Sequence, residues 1–327
     1  MSQNISPHSP IRPLSVGNVV SSALVLYRSH FKSYLGVAFR ATLWSLLPSF
    51  TQLLIGQLQG RIDPSVAVLI RLPWLALNIF CVAKASTNIA LISRLAFGEL
   101  ISKPETVKSA GDNLNSRKWK FLWSAFLVGL LMVGAFIALY IAFLLSVLLV
   151  AGLSTFIGRI VTNSYPILAL IVYLIAGLLY IAVFVGFFAG ILWFVARFFI
   201  SELPLAVETN VGITRTIGRS WELTKGAAFR IVLILSVAYL IVTPFIALAL
   251  TPIALIFPSI PISSIASSPE EFLRSFSSLI TVAILLITLA NTFILPFWQT
   301  IKAVIYYDLR SRKEGLDLQL RDRPLEM

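Results

Sequence analysis

Polar residues inside two otherwise apolar stretches set what chemistry this chain could do. Lys84 and Asn88 are four apart and share one helix face; Asn291, Trp298 and Lys302, at offsets of seven and eleven, share another. On a straight helix Lys84 lies about 15 Å before Arg94, and Lys302 about 12 Å before Arg310. A charge near the bilayer centre costs about 2.5–3.5 kcal/mol on insertion scales, so such a lysine turns into the bundle or snorkels to the interface. The set Lys84, Asn88, Asn291 and Lys302 therefore reads either as a polar clamp between two helices or as a polar path for a solute. The expected partners of Lys84 are carbonyls of the last helix, Asn291 or the carboxylate of Glu202. Arg40 and Arg197 stand nearer the inner ends of their helices, within snorkelling reach.

Other chemistries lack their residues. His8 and His30 both fall before the first span, so no histidine metal site, dyad or triad can be assembled in the membrane core. Cys81 is alone, which excludes a disulfide or a cysteine metal site within one chain. Glu270 and Glu271 are adjacent acids at a helix start, where the helix dipole accounts for them. No glycine-rich phosphate loop occurs. The sequence thus assigns no catalytic, cofactor-binding or metal residues, and the expected role is non-enzymatic.

The elements that would position these residues follow from composition. Hydrophobic residues make up 58% of the chain and charged residues 12%, against about 45–50% and about 25% in soluble domains. The expectation is an all-α, polytopic integral membrane protein. The net charge of +12 collects at helix ends on one side, as topology requires, and not on a soluble basic module. Nucleic acid is therefore excluded as a partner, and the bilayer, with its anionic lipid, is the expected one.

Taken in order, residues 1–14 read as a disordered polar tail with Pro7, Pro10 and Pro13 and no signal-peptide pattern. Residues 15–312 read as a six-span membrane domain and 313–327 as a charged cytoplasmic tail. From Ser15, a capping residue, an amphipathic helix too polar to cross lies on the membrane surface. Spans are expected over about 34–58, 66–97, 119–153, 165–200, 227–257 and 271–312, since about 20 residues cross the hydrocarbon core. The third and fourth exceed that length and must tilt, break or project. Pro244 and Pro252 should break the fifth. The connections 59–65, 154–164 and 258–269 hold only Arg61 and Arg159, whereas the others hold most of the remaining basic residues. This asymmetry places both termini in the cytoplasm, in a bacterial plasma membrane or another internal energy-transducing membrane.

Candidate headgroup contacts sit at the polar-to-apolar junctions: Arg28 and Lys32; Lys118 and Lys120; Arg215, Arg219, Lys225 and Arg230; Arg310, Arg312 and Lys313. Phe31-Lys32, Trp119-Lys120 and Phe229-Arg230 recur at such junctions. They suggest a weak threefold repeat of interfacial helix plus hairpin, although aromatic belts and snorkelling alone could produce the same pairs. Small residues at four-residue spacing, Gly134, Ala138 and Ala142 on the third span and Ala182, Gly186 and Gly190 on the fourth, let helices approach closely, within the chain or in a homo-oligomer.

The last span runs out through Tyr306-Tyr307-Asp308-Leu309-Arg310 and Arg312-Lys313-Glu314-Gly315, with Gly315 placed for a left-handed helix cap. This ending, with Asp317-Leu318, resembles the close of the membrane domain attached to some glycerophosphoryl diester phosphodiesterases and found in stand-alone membrane proteins. A looser likeness runs through Tyr27-Arg28, His30-Phe31 and Arg219-Ser220-Trp221-Glu222-Leu223. The resemblance implies a multi-helix membrane fold and no hydrolysis, because the catalytic barrel of those enzymes has no counterpart here. The expected function is membrane organisation or assembly of a membrane complex with a protein partner. The alternatives are a transporter or channel with its path between the second and sixth spans, and an accessory subunit of a lipid or glycerophosphodiester enzyme.

Overall fold

The computed structural model describes residues 14–58, 63–162, 165–208, 211–256 and 269–316. The N-terminal tail before Leu14, most of the connections 59–65 and 258–269, and the C-terminal tail from Asp317 lie outside the described residues. Every described element is helical: α1 (Val16–Ser29), α2 (Phe31–Leu58), α3 (Pro64–Leu100), α4 (Val107–Asn115), α5 (Lys118–Thr162), α6 (Pro166–Phe198), α7 (Leu203–Val207), α8 (Ile213–Thr224), α9 (Ala228–Ile256) and α10 (Pro269–Glu314).

Among the described residues, five helices are long and apolar enough to cross a membrane, covering Leu69–Leu100, Lys118–Thr162, Pro166–Val207, Ala228–Leu255 and Leu279–Glu314. α2 is not one of them. It pairs with α3 as a hairpin, Trp44 against Phe80 at 5.7 Å and Trp74 Nε1 donating to the Pro48 carbonyl at 3.5 Å.

Local chemistry sets the ends. Ser15 caps α1 by accepting from the Asn18 N–H at 3.2 Å, and Thr106 caps α4 in the same way through Ser109. Gly226, at φ 78°, turns the chain from α8 into α9, and Gly315, at φ 61°, closes α10; both conformations are strained for any residue with a Cβ. Two expectations fail at the loops. The connection expected at 154–164 is helical as far as Thr162, because Gly158 lets α5 lie on Tyr173 of α6, where a Cβ would collide with the ring. α9 runs unbroken through Pro244 and Pro252. The threonine before each proline donates to a carbonyl four residues back, Thr243 to Tyr239 at 2.8 Å and Thr251 to Ala247 at 3.0 Å, adding bonds where the ring removes one.

The core is concentrated where the short helices gather. α1, the C-terminal half of α3, α7, α8 and the end of α10 bury Leu95, Phe97, Leu203, Leu205, Ile301, Ile305 and Tyr306 in one cluster. Tyr306 is fully buried and packs on Phe97 at 5.4 Å. Away from this end the surface is apolar: Leu148 is 67% exposed, Ile167 76% and Leu248 73%. A chain in water would hide such residues; one in lipid has no reason to.

Candidate functional site

The ionic chemistry lies where the short helices meet the ends of the long ones. Asp308, nearly buried on α10, accepts from Arg230 of α9 at 2.6 Å, from Arg312 one turn on at 3.0 Å and from the Leu14 N–H at 3.3 Å. Arg230 also donates to the Leu14 carbonyl, so one carboxylate ties the start of α1 and of α9 to α10. Beside it, Glu208 accepts from Arg219 at 2.7 Å and from the Tyr306 hydroxyl at 2.6 Å, while Glu314 accepts from Arg219 and Arg310 at 2.8 Å each. Burial alone would push the Arg219 guanidinium down, but the hydrogen bond and charge of Glu208 outweigh it and hold its proton more firmly than usual. Arg94 of α3 pairs with Glu105 at 3.0 Å and donates to the Ala206 carbonyl at 2.9 Å, and Lys313 reaches the carbonyls of Glu222 and Lys225 at 2.8 Å each.

These contacts reassign part of the expected lipid surface. Arg219, Arg230, Arg310 and Arg312 are engaged within the chain by carboxylates, and Lys313 by backbone carbonyls. Arg28, Lys32, Lys120, Arg215 and Lys225 are exposed, and Lys118 stands over the Phe80 and Trp119 rings at 5.2 and 5.9 Å.

The expected intramembrane cluster is divided. Lys302 pairs with Glu202 at 2.8 Å beside an apolar cavity of about 420 Å³ lined by residues of α3, α5, α6 and α10. Lys84 instead donates to Asn115, at the end of α4, at 2.7 Å, and Asn88 donates back to the Lys84 carbonyl at 2.8 Å. Asn291 is exposed on α10. The clamp or path expected from Lys84 to Lys302 is therefore not formed: α4 folds back along α3 and takes Lys84, while Glu202, expected for Lys84, takes Lys302. Arg197 does not snorkel. It is 6% exposed, its guanidinium packs against the rings of Trp193 and Trp221, 5.0 and 4.2 Å from their centroids, and it donates to the Trp221 carbonyl at 3.0 Å.

The small-residue rows do not pack inside the chain as expected. Gly134, Ala138, Ala142, Ala182 and Gly186 lie exposed on the α5–α6 hairpin, and of the three glycines Gly190 alone is crowded, by Leu139. Among the described residues no group of histidine, cysteine and acids could hold a metal ion.

The sequence reading missed the acids Glu105, Glu208, Asp308 and Glu314 as partners, and Asn115. The i, i+4 pairs Asp308–Arg312 and Arg310–Glu314 were readable from spacing. The pairs reaching 78 to 98 residues along the chain carried no local signal. No protein-family model, curated protein or solved structure matches the chain.

Proposed function

We propose that this chain is a non-enzymatic integral membrane protein that organises the membrane or assembles a membrane complex, with six crossings and both termini in the cytoplasm. The observation that carries this reading is that its polar groups close on one another. Lys302 is answered by Glu202, Asp308 by two arginines, and Lys84 by Asn115 in a different place, so the charges tie helices together instead of lining one continuous route. Transport needs a path that a solute can follow; scaffolding needs a rigid end and a free surface.

In this reading α2 is the sixth crossing, which its pairing with α3 supports. α1, α4 and α8 are the interfacial helices of the cytoplasmic side. The element order supports a threefold repeat: each of these short helices leads into a long one, and Phe31-Lys32, Trp119-Lys120 and Phe229-Arg230 each fall within the first three residues of it. The resemblance to the membrane domain of the phosphodiesterases agrees with this arrangement. The α5–α6 hairpin, with its exposed small residues, is the surface offered to a protein partner or a second copy.

Gentle-detergent purification followed by mass spectrometry, beside a solute and ion flux assay in proteoliposomes, tests the proposal. A stable partner or homo-oligomer and no flux are expected. Flux that is abolished by Lys302→Met while thermal stability is kept would overturn it in favour of a transporter.

A further inference from the structure

One group of cations stands apart from the closed network. Arg40 of α2, Lys84 of α3 and Lys108 of α4 line a cavity of about 460 Å³, together with Asn88, Asn115 and Trp44. Lys118, at the start of α5, adds a fourth charge nearby, since its ammonium and that of Lys84 share the Phe80 ring at 5.2 and 5.8 Å. Among the described residues, none of these four cations forms an ion pair with a carboxylate, although Arg94, Arg219, Arg230, Lys302, Arg310 and Arg312 all do. Asp112 is the one carboxylate among the lining residues, against three cations. The cavity therefore carries an excess of positive charge with an anion's worth of room.

The donors are also arranged for an anion. Lys84 uses one of its three N–H groups on Asn115 Oδ1 at 2.7 Å, and Asn115, itself a lining residue, keeps its amide nitrogen as a further donor. Arg40 spends only its Nε, on the Gly36 carbonyl of its own helix at 3.4 Å, leaving the terminal nitrogens of its fork. Several convergent N–H donors with more than one positive charge suit a tetrahedral phosphate, whose oxygens accept many bonds, better than a single carboxylate. Trp44, packed edge-on to Phe80 at 5.7 Å, forms an apolar wall beside the charges.

We propose that the cavity between α2, α3 and α4 is a binding site for a phosphate group, and that its source is the headgroup of an anionic phospholipid, whose acyl chains continue along the apolar surface of α2 and α3. Exposed Phe39, Leu43 and Leu47 on α2, and Ile79 and Val82 on α3, supply that surface next to the cationic cavity. The site goes beyond the scaffold reading and does not depend on it: it uses none of the carboxylate ion pairs, and Lys84 keeps two N–H groups after answering Asn115.

Native mass spectrometry of the full chain in detergent, with phosphatidylglycerol, phosphatidylcholine and inorganic phosphate as separate probes, tests it. One phosphatidylglycerol retained per chain, in preference to phosphatidylcholine and undisplaced by excess inorganic phosphate, is expected. Arg40→Gln with Lys84→Gln should weaken retention about thirtyfold, from about fivefold for each well-placed cation. Asn115→Asp keeps every cation and gives Lys84 an internal partner, so it should weaken retention without a loss of folding. Lys103→Gln with Arg159→Gln, which removes two exposed charges outside the cavity, should leave retention within about twofold. Equal retention of the two lipids, or equal losses from the cavity pair and the control pair, would overturn the site. Displacement by inorganic phosphate would overturn the lipid as its source.

Discussion

Replacing Asp308 by Asn tests whether the ion-pair network supports the fold. The substitution keeps shape and an acceptor oxygen for the Leu14 N–H, and removes only the charge. Asp308 is 5% exposed, while Arg230 and Arg312 are 23% and 36% exposed at the side chain. Removing one partner of a fully buried pair costs about 3–5 kcal/mol. Here both arginines keep some access to water, and Arg312 can turn outward, so the expected loss is about 2–3 kcal/mol. At about 2–4 °C per kcal/mol for a large domain, the apparent Tm should fall by about 4–12 °C. The assay is the monodisperse fraction remaining after heating in mild detergent. A second variant, Asp308→Leu with Arg230→Met, removes both members of the closest pair. It should be more stable than Asp308→Asn alone, since an apolar replacement leaves no buried charge unanswered. A fall under about 1 °C for Asp308→Asn, or a double variant worse than the single, would refute the reasoning.

Gly226→Ala should lower stability by about 1–2 kcal/mol, because φ 78° is strained for alanine although no atom lies within 4 Å of the added Cβ. Gly218→Ala, inside α8 and equally uncrowded, should instead raise it by about 0.5–1 kcal/mol, and the same heating assay separates the two signs. Arg197→Lys removes the planar group packed against Trp193 and Trp221 and should red-shift tryptophan emission and lower Tm; unchanged emission would show that the contact does not persist in detergent. Reporter fusions after Gly226 and Gly315 should both read cytoplasmic, and an outer-side reading at either would overturn the six-span topology.

The apolar helices were legible because lipid-facing residues need no pattern beyond apolarity and length, and those signals are local. The cap at Ser15 and the left-handed Gly315 were legible for the same reason: each depends on residues within a turn. Lys84 was misplaced because its depth was measured along α3 alone, as if hydrocarbon surrounded it. Its surroundings are made by α4, a segment whose path no periodicity in α3 could reveal. The proline breaks in α9 were over-read, because helix continuity depends on the turn that holds the proline, and a neighbouring threonine adds bonds there. The basic residues at the close of α10 were read by sign, as headgroup contacts. Glu208 and Glu314, which answer one of them, Arg310, and also Arg219 of α8, stand in the sequence as isolated acids with no sign of the link between these helices.

Those isolated acids explain how a chain with so little charge holds its short helices. In lipid, apolar burial does not drive helices together, so the α5–α6 hairpin relies on close contacts such as Phe143 with Phe187 at 5.0 Å and Gly158 against Tyr173. At the other end, where α1, α7 and α8 are too short or too polar to stand alone, the same chain uses buried side chains together with carboxylates that each answer more than one group. Asp308 and Glu208 each join three segments, so a single acid fixes relative positions that several apolar contacts would leave free to slide. The cavity of Arg40, Lys84 and Lys108 departs from this pattern. If acids were placed only to balance charge, Asp112 would stand within reach of a cation there, yet no such pair forms. Among the described residues Lys120, Arg215 and Lys225 also lack a carboxylate partner, but Arg40, Lys84 and Lys108 do so around one shared cavity, and that grouping is arranged to take its anion from outside the chain.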